Sequence, residues 1–248
     1  MAIQHVEFAN VSFALPDGRP LLSDVSLTVE AGTTTALLGR SGSGKTTLLR
    51  MVNGLVLPTA CHVRVGGLEV LTADKIALRR RIGYVIQETG LFPHMSILRN
   101  VGLILELAHE HSNHVALRVG EMLRLVGLGE EFADRYPWQL SGGQRQRVGL
   151  ARALAGEPGF LLMDEPFGAL DPLTRAEMQT MLLDLLRRVV KTTLIVTHDL
   201  EEALFLADRV VLLEAGRVVA DLPASEVRMS QNVAVREYVA ATHRGDPA

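Results

Sequence analysis

The chain has 248 residues, of which 48% are hydrophobic, and this excludes a disordered chain because such chains bury too little apolar surface. A formal net charge of −3 and an aromatic content of 4% exclude a dedicated nucleic-acid binder, which carries a basic surface and rings for base stacking. Cys61 is the single cysteine, so the chain forms no intramolecular disulfide.

The sequence predicts neither a membrane span nor an export signal. It contains no run of about 18 or more uncharged apolar residues. The first residues, MAIQHVE, include an early acid and lack a basic segment followed by an apolar one. We therefore expect a cytosolic protein that acts at a membrane only by docking on a partner.

The first third of the chain is predicted to be mainly β-structure. Alternating apolar residues and short apolar runs indicate strands, and a Pro-Asp-Gly turn at 16–18 separates the first two. A helix is predicted over 46–52, with Gly54 as its C-cap. The predicted strands of this part are 6–13, 22–29, 34–38, 63–65 and 82–86.

Helices dominate from about residue 96, and the alternation of strands and helices returns near residue 160. This order favours the α/β class, with a mostly parallel core, a helical insertion near 88–158 and further β-structure at the edges. The predicted helices are 97–108, 115–126, 172–190 and 201–207, and the predicted strands are 160–163, 193–196 and a hairpin about 215–216.

The segment 39–46, GRSGSGKT, matches the phosphate-binding pattern G-x-x-x-x-G-K-[ST] at every fixed position. Backbone N–H groups of such a loop surround a polyphosphate, and the dipole of the next helix favours its negative charge. Lys45 is expected to reach the β- and γ-phosphates, and the Thr46 hydroxyl to ligate Mg²⁺. The residues expected to contact the nucleotide here are Gly39, Arg40, Ser41, Gly42, Ser43, Gly44, Lys45, Thr46 and Thr47.

Two adjacent carboxylates, Asp164 and Glu165, follow the apolar run 160–163. Such a run predicts a buried strand, and ligands bind at the carboxyl ends of strands in open α/β sheets. Asp164 is suited to hold Mg²⁺, and Glu165 to polarise an attacking water as a general base. Two adjacent acids alone are a common pattern, but about 120 residues after a phosphate loop they indicate a nucleotide-hydrolysing site.

Residues 140–144, LSGGQ, begin another predicted helix. Ser141 is its N-cap, and Gln144 three residues later completes a capping box. Two interpretations remain open: a plain helix start, or a second phosphate-binding terminus whose glycines permit close backbone approach. The second interpretation implies a dimer, because a single active site does not need this terminus.

Together these motifs resemble those of the ATP-binding subunits of ABC transporters, and the resemblance runs over about residues 6–220. All the matching segments occur in the family's order. They are 39–46 (Walker A), Gln87 (Q-loop), 140–144 (signature), 160–165 (Walker B with its catalytic glutamate), 168–171 (D-loop) and His198 (switch histidine).

The resemblance implies a P-loop NTPase core of the RecA-like type, with an antiparallel β-subdomain and an inserted helical subdomain. The whole chain, 1–248, is then one ABC ATPase domain. Its implied parts are a core of about 1–87 and 159–222, a helical subdomain of about 88–158 and a C-terminal tail of 223–248.

The resemblance also implies a mechanism that uses ATP and Mg²⁺. Two subunits, identical or similar, associate head to tail and trap ATP between the phosphate loop of one and the signature of the other. His198 contacts the γ-phosphate, and Gln87 contacts Mg²⁺, senses the γ-phosphate and links the core to the helical insertion. The residues implied to act across the dimer are Ser141, Gly142, Gly143, Gln144 and Asp171.

The implied partners are transmembrane permease subunits and, indirectly, a solute-binding protein, with no nucleic acid. The implied location is peripheral, on the cytoplasmic face of the plasma membrane. Segment 87–97 is the implied docking surface for the permease. Three segments are most similar in sequence to uptake ATPases for quaternary amines, the osmoprotectants: 79–87, 91–97 and 163–172.

Two positions depart from the family pattern. Leu15 stands where an aromatic residue usually stacks on adenine, and Cys61 stands where glycine is usual, so we expect that turn to need another geometry.

Three other functions compete with quaternary-amine uptake. One is an ABC uptake system for an amino acid or an anion. Another is a soluble ABC ATPase acting on DNA or the ribosome, which the short interval 45–141 and the single domain disfavour. The third, a small-molecule kinase, leaves 140–144 and His198 unexplained.

Overall fold

The computed structural model describes residues 4–87 and 89–243. Its strands are β1 (Val6–Ala14), β2 (Pro20–Val29), β3 (Thr34–Leu38), β4 (Ala60–Val65), β5 (Leu68–Glu69), β6 (Ile82–Val85), β7 (Phe160–Asp164), β8 (Thr192–Thr197), β9 (Arg209–Glu214) and β10 (Arg217–Pro223). Its helices are α1 (Lys45–Val52), α2 (Lys75–Arg80), α3 (Ile97–Glu106), α4 (Ser112–Leu125), α5 (Gly142–Ala155), α6 (Pro172–Arg188), α7 (Leu200–Leu206) and α8 (Val233–His243), with short 3-10 turns at Glu130–Phe132, Pro137–Gln139 and Ala224–Met229.

The chain forms two compact units. Of the residues that the structure describes, those up to Leu78 and those from Lys191 onward form one unit, and those between Arg79 and Val190 form the other. Among the described helices, none has both the length and the apolar character that crossing a membrane requires.

The first unit contains an antiparallel sheet in the order β2-β1-β4-β5 and a second set of strands in the order β10-β9-β3-β8. β3 lies parallel to β8 and β9, and Leu38 at its end pairs with Thr197 and Leu212. Every residue of β3 and β8 is buried, as expected of parallel strands covered on both faces. The segments that follow β3 and β8 therefore leave the sheet side by side, and these segments are the phosphate loop and His198.

The second unit contains the parallel pair β6 and β7 and the helices α3, α4 and α5, which pack on one another. Val85 near the end of β6 pairs with Met163 near the end of β7. Gln87 lies two residues after β6, and Asp164 ends β7 with Glu165 next in the chain, so the register brings them to the same edge.

Most of the predicted elements are confirmed. The β1–β2 hairpin, the helix after the phosphate loop, the helices from residue 96 and the β9–β10 hairpin lie where their patterns predict them. The sequence did not predict β5, α2 or α8, and α8 lies within the C-terminal tail implied for 223–248. The two units are defined by which residues contact one another, and this division does not test the subdomain boundaries predicted near residues 87, 159 and 222. Those boundaries stay predictions.

Candidate active site

The phosphate loop joins β3 to α1, and two of its glycines have conformations that a side chain would not tolerate. Gly39 has a φ of 153°, and a Cβ there would collide with the carbonyl oxygen of Leu213. Gly44 has a φ of 100° and caps α1, and a Cβ there would lie 2.5 Å from Leu22 Cδ2. Glycine at both positions lets the loop pass close to its neighbours and turn into the helix.

Lys45 is the first residue of α1 and is only 5% exposed. Its Nζ donates hydrogen bonds to the carbonyl oxygens of Gly39 at 2.7 Å and Arg40 at 2.9 Å. These bonds hold the ammonium group across the loop, where it adds a positive charge to the helix N-terminus. Thr46 and Thr47 follow on the same turn and are half-buried.

The loop fits a phosphate ligand. Ser43 is 6% exposed, and its Oγ is buried without a hydrogen-bond partner in the part of the chain that the structure describes. A buried hydroxyl without a partner costs free energy, and a phosphate oxygen is the kind of group that satisfies it. The outer face of the loop, Arg40, Ser41 and Gly42, is exposed.

The strand ends of the second unit bring the predicted acidic residues together with two side-chain donors. Gln87 Nε2 donates to Glu165 Oε2 at 3.4 Å, and the Tyr84 hydroxyl donates to Asp164 Oδ2 at 3.4 Å. Asp164 is 2% exposed, at the end of a strand that is buried throughout. The Gln87–Glu165 contact supports a joint role for these residues, and Tyr84 is a neighbour of Asp164 that the sequence did not single out.

Glu165 has a left-handed backbone, with a φ of 45°. This conformation costs an L-residue about 1–2 kcal/mol and is uncommon outside glycine, asparagine and aspartate. Such strain clusters at functional sites, where it places a side chain that a relaxed backbone would direct elsewhere.

The signature segment forms the predicted capping box at the start of α5. Ser141 Oγ accepts from the Gln144 backbone N–H at 3.3 Å, and Gln144 Oε1 accepts from the Ser141 N–H at 2.9 Å. Gly143 is buried, and a Cβ there would lie 2.6 Å from Thr174 Cγ2 on α6. Ser141 itself is exposed, so the helix terminus is open at its N-cap.

Asp171 is the N-cap of α6, and its Oδ1 accepts from the Thr174 N–H at 3.1 Å. Hydrogen bonds from the Thr174 side chain and backbone lower the pKa of the Asp171 carboxyl. The carboxylate is therefore a stable anion at this helix start.

Leu15 and His198 lie in the first unit. Leu15 follows β1 and is half-buried in a turn, where its N–H donates to the Arg19 carbonyl at 2.9 Å. His198 follows β8, and its side chain is exposed. Its carbonyl oxygen accepts a hydrogen bond from the Tyr238 hydroxyl of α8 at 2.8 Å.

Two residues that the sequence analysis missed fix the segment after Gln87. Arg152 on α5 donates to the carbonyl oxygens of Thr89 at 2.6 Å and Gly90 at 2.7 Å, and burial lowers its pKa. Asn100 on α3 is 0% exposed and hydrogen-bonds the backbone of the loop over 92–96. The Arg152 contacts join positions more than 60 residues apart, which no local pattern signals, whereas Asn100 bonds to a loop only four to eight residues before it.

Comparison with known proteins places these features in a family. A family profile described as ABC transporter matches residues 22–168. The choline transport ATP-binding protein OpuBA of Bacillus subtilis is 44% identical over 231 residues, which are 93% of this chain and 61% of that protein. The glycine betaine uptake system ATP-binding protein YehX of Escherichia coli is 42% identical over 241 residues, 97% of this chain and 78% of that protein.

A solved structure of an ATP-binding cassette is also similar to this chain. The dimeric post-hydrolysis ATP-binding cassette MJ0796, bound to ADP and Pi, matches with a TM-score of 0.79 and 34% identity, over 88% of this chain and 98% of that one. The fold and site thus define an α/β P-loop NTPase, which confirms the predicted fold class. The chain belongs to the ABC transporter family and contains its ATP-binding domain. It spans about three fifths of the length of OpuBA.

Proposed function

We propose that the chain is the ATP-hydrolysing subunit of an importer for a small polar solute, a quaternary amine such as glycine betaine or choline. The phosphate loop supports the ATPase part of the proposal, because the Lys45 ammonium adds a positive charge there and the Ser43 hydroxyl, which has no partner among the described residues, is a group that a bound polyphosphate would satisfy. OpuBA and YehX, which are named for choline transport and glycine betaine uptake and match more than nine tenths of the chain, support the solute class.

The phosphate loop binds the β- and γ-phosphates through its N–H groups and Lys45. Thr46, Asp164 and Gln87 would hold Mg²⁺, which neutralises the charge that develops on the phosphates during transfer. The donor set fits that ion, because Mg²⁺ prefers carboxylate, hydroxyl and amide oxygens.

Glu165 acts as the general base and takes a proton from the water that attacks the γ-phosphorus. The Gln87 amide, which donates to the same carboxylate at 3.4 Å, orients it. His198 donates a hydrogen bond to the γ-phosphate and stabilises its charge. Leu15 makes an apolar contact with adenine in place of a stacked ring.

The working unit is a dimer of two such chains, or of this chain with a similar subunit, formed when ATP binds. Ser141, Gly142, Gly143 and Gln144 of one subunit contact the ATP of the other, and the Asp171 anion lies in the D-loop. The open N-cap of α5 supports this proposal, because its exposed terminus is available to a second nucleotide.

The dimer docks on transmembrane permease subunits through the segment 87–97 and so lies at the cytoplasmic face of the plasma membrane. A solute-binding protein delivers the solute to the permease, and nucleic acid takes no part. The fixed backbone around Thr89 and Phe92 supports docking, because a preordered segment loses less entropy on binding.

Two other solute classes, an anion and an amino acid, also have support from similar proteins. The sulfate/thiosulfate import protein CysA of Mesorhizobium japonicum is 48% identical over 203 residues, and the methionine import protein MetN of Cereibacter sphaeroides is 44% identical over 221. Identity alone does not separate an amine from an anion or an amino acid, because the solute binds to other subunits.

Deleting the gene and measuring the uptake of radiolabelled betaine, choline, methionine and sulfate tests the solute class. We expect betaine or choline uptake to be lost, and complementation with the wild-type gene, but not with a Lys45→Ala gene, to restore it. Unchanged betaine and choline uptake with loss of sulfate or methionine uptake would overturn the amine and leave the ATPase proposal in place.

A further inference from the structure

Helix α8 packs on the sheet of the first unit and brings one phenol to the main chain of His198. Val235 is buried in a cluster with Leu38 at the end of β3 and Leu200 at the start of α7. Tyr238, one turn further along α8, packs against the same cluster and donates from its hydroxyl to the His198 carbonyl at 2.8 Å. The helix therefore has an apolar anchor and one directed polar contact.

The same phenol borders the phosphate loop. Tyr238 and Glu237 line one side of a cleft of about 220 Å³, and Arg40, Ser41, Gly42 and Ser43 line another. Burial raises the pKa of Tyr238 to about 12, the charge of Asp199 acts in the same direction, and Arg40 and the Gly39 backbone act against them. At neutral pH the phenol is therefore protonated and remains a hydrogen-bond donor.

His198 connects the end of β8 to the N-cap of α7, and both neighbouring residues are held by hydrogen bonds. Before it, Thr197 pairs with the end of β3, and its Oγ1 accepts from the Asp199 N–H at 3.0 Å. After it, Asp199 caps α7 by accepting from the Glu202 N–H at 3.1 Å. The bond from Tyr238 fixes the carbonyl of the residue between them, and so fixes the direction in which the imidazole projects from the backbone.

We propose that Tyr238 is a positioning residue for hydrolysis, which acts by holding the main chain of His198. This inference rests on the proposed function, because it needs His198 to contact the γ-phosphate. A small displacement of a group that contacts the transition state costs a large factor in rate, whereas ATP binding depends mainly on the phosphate loop. The effect is therefore expected in kcat more than in KM.

Tyr238→Phe tests the proposal because it removes only the hydroxyl. We expect kcat of the purified full chain to fall about three- to tenfold, the range expected for loss of one neutral hydrogen bond, and KM for ATP to change less than about twofold. Val235→Ala is the matched control, because it loosens the packing of α8 without touching His198. We expect it to lower the melting temperature and leave kcat near the wild-type value.

A double-mutant cycle with His198→Ala separates positioning from a general structural effect. Single-turnover hydrolysis of radiolabelled ATP resolves the slow rates, and Tyr238→Phe is expected to have no further effect once the imidazole is absent. Equal losses of kcat in Tyr238→Phe and Val235→Ala, additive effects in the cycle, or a wild-type kcat for Tyr238→Phe would each overturn the inference. A wild-type rate for His198→Ala would instead overturn the proposed role of His198, and this inference with it.

Discussion

At the residue scale, Cys61 has a backbone conformation that glycine adopts more readily than other residues. Its φ is 67°, in the left-handed region, although it lies at the start of β4 and its side chain is exposed. Cysteine in place of the usual glycine is expected to need another geometry in this turn, and the structure gives Cys61 the left-handed conformation that glycine adopts readily. The cysteine therefore adopts a conformation that costs an L-residue about 1–2 kcal/mol.

Cys61→Gly is expected to stabilise the chain. Relief of the left-handed conformation gains about 1–2 kcal/mol, and the greater freedom of glycine in the unfolded chain removes about 0.5–1 kcal/mol of that. We expect the free energy of unfolding in urea to rise by about 0.5–1 kcal/mol. Cys61→Ala is the control, since it keeps the Cβ and gains nothing; equal effects of Gly and Ala would contradict the account.

Glu165 also has a left-handed backbone, and it is the proposed general base. In Glu165→Gln the amide keeps the size of the side chain and cannot accept a proton, so ATP hydrolysis is expected to fall about 10²- to 10⁴-fold. Size-exclusion chromatography with MgATP is expected to show a dimer that persists, because the nucleotide that holds it is not consumed.

The matched control for this variant is Glu157→Gln. Glu157 also has a left-handed backbone, with a φ of 51°, and its exposed carboxylate pairs with Arg118 at 3.2 Å. It is expected to hydrolyse ATP as the wild type does. A Glu165→Gln protein with normal turnover would show that this carboxylate is not the base.

At the scale of elements, one buried amide orders the loop before α3. Asn100 Oδ1 accepts from the Phe92 N–H at 2.7 Å, and its Nδ2 donates to the carbonyls of Phe92, Met95 and Ser96 at 3.0–3.1 Å. The loop has no regular secondary structure, so these bonds replace the ladder that a strand or helix would supply.

Asn100→Ala is expected to lower the free energy of unfolding by about 2–3 kcal/mol, because it leaves buried backbone groups without partners. Urea unfolding measures this change, and limited proteolysis is expected to cut within 92–96 sooner than in the wild type. Asn113→Ala, on the exposed face of α4, is the control and is expected to change stability little. Unaltered stability in Asn100→Ala would show that the amide does not hold the loop.

At the scale of the whole molecule, the sequence predicts the elements that local chemistry determines. The glycines of 39–46, the capping box at Ser141 and the buried runs of β3, β7 and β8 each have a pattern that one short segment contains. Lys45, Asp164 and Glu165 follow from these patterns, because the ends of parallel strands are where ligands bind.

The features that the sequence did not predict depend on contacts between distant segments. The bonds from Tyr84 to Asp164 and from Gln87 to Glu165 follow from the register of β6 on β7. Helix α8 joins the sheet through Val235 and Tyr238, which with Val239 have the i, i+3, i+4 spacing of one helix face. The sequence analysis did not use this spacing, and the spacing alone does not say on which surface the helix packs. A parallel strand that is buried on both faces reads as a continuous apolar run, which does not specify its register, so these contacts needed the structure.

The central claim is that the phosphate loop binds and hydrolyses ATP, and Lys45→Ala tests it most directly. Steady-state hydrolysis and equilibrium binding of MgATP are measured on the purified wild type, on Lys45→Ala and on Lys75→Ala. Lys75 is the matched control, because its ammonium also donates to backbone carbonyls, those of Leu71 and Ala73, away from the loop. We expect Lys45→Ala to lose most binding and turnover and Lys75→Ala to retain both; wild-type turnover in Lys45→Ala would contradict the account.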